Sequence, residues 1–326
     1  MALSSRVRSG RLVAGVFAAW IGCFGALCGS GGTGLARPMR VQTARFRVHG
    51  LFGRENAIAI WTDHRRKPGE RLPLVIAFHG MGESKAGVDK GYKAWVDRYG
   101  LVEAYDALLG GPVAKQALGG LVRDGELSSL NAALEARPIE GVLVVGVYTP
   151  DLLPVGEREP QISRYAAWVA NKLVPKIRRM FPIASEGVRS AGVDGVSLGG
   201  AVALEVGFRH PEVFGSVGAM QPAVRGYTEQ VAELAAAAHR AAPQRVRLLS
   251  SDRDPLLDTT RSLSAALRAR KIPHTLRVTP GGHDYAFNQG PGAVDLVRFH
   301  DRALRDIPVS IAPPTAGAEG GEVSQK

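Results

Sequence analysis

Uninterrupted apolar runs of strand length alternate with helical patterns along most of the chain. Five of these runs predict strands buried on both faces of a sheet, because they lack the two-residue alternation of a half-exposed strand. They are LPLVIAFHG from Leu72, GVLVVGVYTP from Gly141, VRSAGVDGVS from Val188, FGSVGAMQP from Phe214 and RVRLLSSD from Arg245. Two earlier strands, ARFRVHGLF and AIAIWTD, and a later one, HTLRVTP, complete the set.

Helical patterns lie between these runs, over 163–180, 198–209, 255–270 and 293–305. Strands that alternate with helices predict a mostly parallel central sheet with helices on both faces, a three-layer α/β sandwich. Ligands of such sheets bind beyond the carboxyl ends of the strands. The sequence therefore predicts one α/β domain over 37–307, with its site at that edge.

Two segments depart from this rhythm. The segment 83–138 carries helical sequences between two core strands, and we expect it to form a pocket wall or a lid. The segment 308–326 has too few apolar residues to pack, which is typical of a disordered tail.

The amino terminus has the layout of a secretory signal. Arginines precede an uncharged apolar run over 12–28, and small residues follow it, which predicts a signal peptide over 1–36 with cleavage after Ala36. The product is expected outside the cell, in the periplasm or in the envelope, without stable membrane insertion. An uncleaved anchor and a lipoprotein site at Cys23 remain alternatives. Both cysteines of the chain, Cys23 and Cys28, lie in this segment, so the cleaved protein contains no disulfide.

Charge and composition exclude several classes of function. The formal net charge is +11, but the arginines and lysines are scattered and lack interleaved aromatic residues, which favours a solvated surface over a nucleic-acid partner. Histidines are dispersed and no H-E-x-x-H occurs, so no metal site is predicted. GSGGTG from Gly29 has dinucleotide-motif spacing but follows the signal core instead of a strand, so no cofactor is predicted.

The motif G-x-S-x-G occurs at Gly195–Gly199, where an apolar run meets a helical pattern. A serine on such a strand-to-helix turn projects above the sheet, and the flanking glycines remove Cβ atoms that would collide with neighbouring elements. A phosphate loop is excluded because no lysine follows the glycines. Ser197 is therefore a candidate nucleophile, and a plain tight turn is the alternative.

A serine nucleophile needs a general base, and the base needs an orienting carboxylate, in the chain order serine, acid, histidine. Of the later histidines, His283 lies in a glycine-rich loop after the last strand, in TPGGHDYAF, and is the predicted base. The acid belongs in the loop SSDRDPLLD, where Asp254 is preferred and Asp252 is the alternative. Asp254 could instead cap the next helix, with Pro255 at its first position.

The same chemistry requires two backbone N–H groups that face the developing oxyanion. One is expected from Leu198, the residue after the serine. The other is expected from FHGMGES, the loop after an earlier strand, at Met81 or alternatively Gly80. His79 in this loop is expected to support the loop and not to act as the base.

Together these residues resemble the α/β-hydrolase superfamily, in particular the esterase group of esterase D, enterochelin esterase and feruloyl esterase. The resembling stretches are LPLVIAFHGMGES, GVDGVSLGGAVALEVGFRHPEVFGSV, SSDRDPLLD and GGHDYAFN. The resemblance implies a Ser–Asp–His hydrolase without a cofactor, carried by Ser197, Asp254 and His283. The chain departs from the family where Ser251 replaces the usual glycine of the acid loop and in the segment 83–138.

The expected function is that of an exported serine hydrolase, which cleaves a small-molecule or polymer-linked carboxylic ester through an acyl-enzyme. Acyl transfer or peptide cleavage with the same residues is an alternative. A non-catalytic envelope protein that keeps the fold for binding is a second alternative.

Overall fold

The computed structural model describes residues 41–51, 53–64, 66–152, 158–186 and 189–305. The expected signal peptide over 1–36 and the expected tail over 308–326 lie outside the described residues.

One mixed sheet of eight strands organises the described part of the chain. The strands are β1 Gln42–Gly50, β2 Gly53–Trp61, β3 Leu74–Phe78, β4 Leu143–Val147, β5 Ala191–Gly195, β6 Phe214–Met220, β7 Arg245–Ser251 and β8 Thr275–Thr279. Their order across the sheet is β1-β2-β4-β3-β5-β6-β7-β8. β2 is antiparallel to both β1 and β4, and the remaining pairs are parallel.

Helices connect the strands. They are α1 Met81–Lys85, α2 Val88–Gly91, α3 Ala94–Asp97, α4 Leu101–Leu109, α5 Asp124–Ala136, α6 Arg158–Trp168, α7 Val174–Met180, α8 Leu198–Arg209, α9 Thr228–Ala241, α10 Leu257–Ala269, α11 Tyr285–Phe287 and α12 Ala293–Ala303. A 3-10 turn lies at Lys115–Leu118, and π-helical turns lie at Val169–Leu173 and Asn288–Gly292.

The helical patterns of the sequence correspond to these elements with shifted ends. The predicted helix over 198–209 is confirmed with the same bounds as α8. The pattern over 163–180 covers α6, a π-helical turn and α7, and α6 begins five residues earlier. Helix α9 was not predicted from the sequence; its buried residues are one valine and three alanines.

Side chains alternate between the two faces of the central strands, so the sheet has a hydrophobic core on each side. On β3, Ile76 belongs to the core that includes buried residues of α6 to α10, whereas Val75 and Ala77 belong to the core that includes buried residues of α4 and α12. Helical residues of the segment 83–138 contribute to the second core, where Trp95 and Tyr105 are almost fully buried. The predicted three-layer arrangement is therefore confirmed, and the segment 83–138 covers part of one sheet face.

Candidate active site

Ser197 stands on a sharp turn between β5 and α8. Its backbone has φ 57° and ψ −116°, a conformation that side chains rarely adopt and that persists only where surrounding structure enforces it. Close packing enforces it here. A Cβ at Gly195 would lie 2.3 Å from the carbonyl oxygen of Gly199, and one at Gly199 would lie 2.4 Å from the carbonyl oxygen of Phe78. Both motif glycines are therefore required sterically.

The structure brings Ser197, His283 and Asp254 into one hydrogen-bonded chain. Ser197 Oγ lies 3.0 Å from His283 Nε2, and His283 Nδ1 lies 2.9 Å from Asp254 Oδ1. Because a carboxylate only accepts hydrogen bonds, Nδ1 carries the proton and Nε2 presents its lone pair to the serine hydroxyl. The arrangement can deprotonate the hydroxyl as it attacks an electrophile.

The Asp254 carboxylate is held by two further donors. Ser250 Oγ donates to Oδ2 at 2.6 Å, and the Leu256 N–H donates to Oδ1 at 2.9 Å. Burial raises the pKa of Asp254, but the hydrogen bonds from His283, Ser250 and Leu256 outweigh it and hold the pKa below its ordinary value. The carboxyl group therefore remains ionised beside the imidazole at neutral pH.

The alternative acid, Asp252, has a different place. Its side chain is exposed, and its Oδ1 accepts the Gly281 N–H at 3.0 Å, so it shapes the loop that carries His283. α10 begins at Leu257, so Asp254 does not directly precede this helix, but its Oδ1 accepts the Leu256 N–H in the turn that leads into it.

Two side chains that were not predicted as site residues hold the His283 loop. Gln221 follows β6 with a positive φ of 44° and donates from Nε2 to the Gly282 carbonyl and to Ser251 Oγ, both at 2.8 Å. Ser251 Oγ donates to the same Gly282 carbonyl at 2.8 Å. The serine that replaces the usual glycine of the acid loop therefore ties that loop to the histidine loop.

The loop after β3 lies beside the serine turn, because β3 and β5 are neighbours and Phe78 pairs with Gly195. Leu198 and Met81 are the first residues of α8 and α1, where backbone N–H groups lack an intrahelical acceptor. The Gly80 N–H, in contrast, donates to Tyr99 Oη at 3.0 Å. Of the two predicted donors in this loop, Gly80 therefore has its N–H already bound, and Met81 stays the predicted oxyanion donor.

His79 links the loops that follow β3 and β4. Its Nε2 accepts the Thr149 N–H at 2.9 Å, its Nδ1 lies 3.0 Å from the Gly80 carbonyl, and its own N–H donates to Thr149 Oγ1 at 3.1 Å. Burial lowers the pKa of His79 to about 4, so the ring is neutral and Nδ1 donates its proton to Gly80. The ring is fully buried and holds the loop through these hydrogen bonds, which agrees with the predicted supporting position of His79.

A buried carboxylate joins the segment 83–138 to the His283 loop. Glu83 accepts hydrogen bonds from the hydroxyls of Tyr99 and Tyr285, the latter at 2.6 Å. Tyr285 lies two residues after His283 and is 45% exposed, so it forms part of the rim of the site. Hydrogen bonding to Glu83 raises the pKa of Tyr285. No local sequence pattern predicts the contact between Glu83 and Tyr285, since 202 positions separate them.

A cavity of about 680 Å³ lies at the opposite, amino edge of the sheet, beside Gly215, Arg245 and Thr275. It contains none of the residues of the hydrogen-bonded chain, so chemistry and not cavity size marks the site. Among the described residues, no cluster of histidine, cysteine, aspartate or glutamate has the geometry to hold a metal ion. Every helix within the described ranges is too short or too polar to cross a membrane.

Comparison with solved structures shows similar folds at low sequence identity. A ferulic acid esterase aligns with a TM-score of 0.57 and 15% identity, covering 81% of this chain and 99% of that chain. The S-formylglutathione hydrolase FrmB from Staphylococcus aureus aligns with a TM-score of 0.56 and 12% identity, covering 81% and 98%. A ferulic acid esterase from Anaeromyces mucronatus, in complex with ferulic acid, has a TM-score of 0.52 and 14% identity, covering 81% and 90%. No curated protein sequence matches the chain.

The fold of these neighbours is the predicted α/β-hydrolase fold, with its mostly parallel sheet and helices on both faces. A sequence-family model, Esterase, described as "Putative esterase", matches residues 52–289, which is more than half of the chain. The chain therefore belongs to the Esterase family and is a carboxylic-ester hydrolase with the α/β-hydrolase fold.

Proposed function

We propose that the protein is an exported serine hydrolase, which cleaves a carboxylic ester through an acyl-enzyme on Ser197. The observation that carries the proposal is the continuous hydrogen-bonded chain from Ser197 Oγ through His283 to Asp254, on a turn whose strained backbone is enforced by close packing. A plain tight turn would need neither the buried carboxylate nor the imidazole.

In the first half of the reaction, Ser197 Oγ attacks the acyl carbon and its proton passes to His283 Nε2. The N–H groups of Met81 and Leu198 stabilise the oxyanion of the tetrahedral intermediate. His283 then returns the proton to the leaving alkoxide, the ester C–O bond breaks and the alcohol departs. Asp254 stabilises the transient imidazolium and fixes the ring orientation.

In the second half, water attacks the acyl-enzyme and gives its proton to His283 Nε2. Collapse of the second tetrahedral intermediate breaks the bond between the acyl carbon and Ser197 Oγ, and the serine regains the proton. The products are a carboxylic acid and an alcohol, and the reaction consumes one water molecule besides the ester.

The substrate is a small-molecule or polymer-linked ester that reaches the rim formed by Tyr285. Glu83 and Tyr99 place the segment 83–138 beside the rim, and we propose that this segment is one wall of the pocket. Two structural neighbours are ferulic acid esterases, which makes aromatic acyl groups a useful part of a substrate panel.

A fluorophosphonate probe tests the nucleophile directly. We expect one adduct on the peptide that contains Ser197, turnover of p-nitrophenyl esters of graded acyl length and of methyl ferulate, and loss of both in Ser197→Ala. Ser262→Ala, a change of an exposed serine on α10, is the matched control and should label and turn over like the wild type. A folded wild-type protein that takes no probe, or equal labelling of Ser197→Ala, would refute the proposal.

Export rests on the amino-terminal sequence, with its arginines, apolar run and small-residue exit. Expression of the full chain in a secretion-competent bacterium, followed by amino-terminal sequencing of the extracytoplasmic protein, tests it. We expect the mature chain to begin at Arg37. A cell-associated chain that keeps its first residues would show that the segment 1–36 is an anchor.

A further inference from the structure

A serine, a histidine and an aspartate also form a hydrogen-bonded chain inside the protein. Ser216 Oγ lies 2.7 Å from His300 Nδ1, and His300 Nε2 lies 2.9 Å from Asp194 Oδ2. All three residues have no solvent-exposed surface. Because no substrate can reach Ser216, this chain is not a second active centre, and its buried polar groups need another explanation.

The hydrogen-bond roles are determined by the carboxylate. Asp194 can only accept, so His300 carries its proton on Nε2 and its Nδ1 accepts from the Ser216 hydroxyl. Burial lowers the pKa of His300, although Asp194 opposes the shift, and the ring is therefore neutral at neutral pH. The histidine acts as a neutral bridge between β6 and β5.

A guanidinium completes the surroundings of Asp194. Arg247 Nη2 lies 2.5 Å from Asp194 Oδ2, and Arg247 Nε lies 2.9 Å from Asp295 Oδ2 on α12. Asp295 also pairs with Arg277. The Arg247 guanidinium lies 5.2 Å from the ring centre of Phe299. One arginine thus joins two buried carboxylates, of which only Asp194 is next to the serine turn.

Glycines on the two strands leave room for these groups. A Cβ at Gly218 would lie 2.2 Å from Asp194 Oδ2, and a Cβ at Gly192 would lie 2.4 Å from Ser216 Oγ. A larger residue at either position would displace these polar side chains, so Gly192 on β5 and Gly218 on β6 make room for the buried Ser216, His300 and Asp194.

The other carboxylate oxygen of Asp194 reaches the serine turn. Asp194 Oδ1 accepts the N–H of Gly195, the first residue of the motif, at 2.7 Å. β5 and β6 pair up to Val193 and meet again only at a bridge between Val196 and Met220. The Asp194 carboxylate therefore accepts the Gly195 N–H at the point where β5 is no longer paired with β6 and the chain turns toward Ser197.

We propose that Asp194, held by His300 and Arg247, is a positioning residue that sets the height and direction of Ser197 through the Gly195 N–H. The inference rests on the proposed role of Ser197 as the nucleophile. It predicts that a change inside the molecule, without contact to the substrate, alters the chemical step. A displacement of the reacting atom by about 1 Å is sufficient to lower the rate about 100-fold.

Asp194→Asn breaks the link selectively. Two donors, one of them cationic, converge on Oδ2, so the amide oxygen belongs there and the NH₂ group must face the Gly195 N–H. Asp295→Asn is the matched control, because it makes the same change at the other buried carboxylate that pairs with Arg247, and Asp295 has no contact with the serine turn.

For Asp194→Asn we expect kcat per titrated site to fall at least about tenfold with KM nearly unchanged. Asp295→Asn should keep kcat within about twofold, whatever stability it loses.

Amide hydrogen exchange tests the hydrogen bond between the Gly195 N–H and Asp194 without any substrate. The Gly195 amide should exchange slowly in the wild type and at least about tenfold faster in Asp194→Asn, and Asp295→Asn should keep the slow rate. This measurement decides the positioning role even if the protein hydrolyses no ester, so it separates failure of this inference from failure of the proposed function.

A second pair of variants covers the case in which Asp194→Asn does not fold. His300→Gln keeps an amide donor for Asp194, whereas His300→Phe fills the space without one. We expect His300→Phe to lower kcat and to speed exchange of the Gly195 amide, whereas His300→Gln should stay close to the wild type in both.

The inference would be overturned by wild-type kcat and wild-type Gly195 exchange in Asp194→Asn. Equal losses of kcat in Asp194→Asn and Asp295→Asn would overturn it as well. If Asp194→Asn is unfolded, equal behaviour of the two His300 variants would overturn it.

Discussion

Replacing Asp254 by asparagine should slow ester hydrolysis strongly, whereas the same change at Asp252 should have little effect. Asp254 Oδ1 accepts from His283 and from the Leu256 N–H, so an asparagine keeps its oxygen at that position. Its NH₂ group then faces Ser250 Oγ, which can rotate to accept. The geometry and the tautomer of His283 are therefore retained, and the substitution removes mainly the negative charge.

The size of the effect follows from the charge that is lost. A carboxylate and an imidazolium with charge centres about 4 Å apart attract each other by about 4 kcal/mol at an effective dielectric constant of about 20. Since about 1.4 kcal/mol corresponds to a factor of ten, the transition state loses up to about 1,000-fold in rate. The His283 side chain is 27% exposed, and solvent screening moves the expected loss toward about 100-fold.

The assay is kcat for a p-nitrophenyl ester, normalised to the sites that a fluorophosphonate titrates. Asp252→Asn should stay within about threefold of the wild type, because asparagine can still accept the Gly281 N–H with its side-chain oxygen. The reasoning is refuted if Asp252→Asn loses as much as Asp254→Asn, or if Asp254→Asn turns over at nearly the wild-type rate. Thermal unfolding of both variants controls for a loss of folded protein.

Three further predictions concern the surroundings of the site. Tyr99→Phe removes the acceptor of the buried Gly80 N–H, so the free energy of urea unfolding should fall by about 1–3 kcal/mol and kcat should fall about tenfold. Tyr105→Phe removes a similar buried hydroxyl at the amino edge of the sheet and should lower the free energy of unfolding without lowering kcat. Gly199→Ala forces a Cβ against a strand carbonyl and should destabilise by about 3 kcal/mol in calorimetry, whereas Gly125→Ala enters open space on a helix and should stabilise by about 0.5 kcal/mol. His79 has a folded pKa of about 4 against an ordinary 6.5, so the unfolded chain binds more protons in between, and stability should fall as pH decreases from 6.5 to 4. In urea titrations His79→Gln should lose roughly 3 kcal/mol of that pH dependence, and an unchanged slope would contradict the assignment.

Patterns local in sequence predicted the fold well, because apolar runs and helical periodicity report burial directly. The turn at Ser197 and the bounds of α8 follow from neighbouring residues, and the structure confirms both elements. The choice between Asp254 and Asp252 depends on a turn of a few residues, where one carboxylate points inward and the other outward. No periodicity encodes that direction, so the sequence could only rank the two. Their catalytic roles stay predictions.

Contacts between distant positions were beyond any local pattern. Asp194 and His300 lie 106 positions apart, and a histidine inside a helical pattern has no feature that reveals a buried partner. Ser251 was noticed only as a departure from a glycine, although its hydroxyl holds the Gly282 carbonyl. Motif and loop position mark the candidate reacting groups Ser197, His283 and Asp254 in the sequence. The groups that hold those residues in place carry no such mark, since they depend on which strands become neighbours.

The side chains that hold the loops around the site all bond to backbone groups, which affects the positions where substitutions are expected to be tolerated. Tyr99 bonds the Gly80 N–H, Ser251 bonds the Gly282 carbonyl, and Asp194 bonds the N–H that follows it, so each loop is held through its backbone. Backbone groups are the same whatever side chains the loop displays, so rim residues can change without releasing the reacting groups. Tyr285 is the exception, because its exposed ring forms the rim while its hydroxyl bonds a buried carboxylate. A change at Tyr285 alters substrate contact and the position of the His283 loop together, so substrate preference should be easier to alter at positions within the segment 83–138 than at this tyrosine.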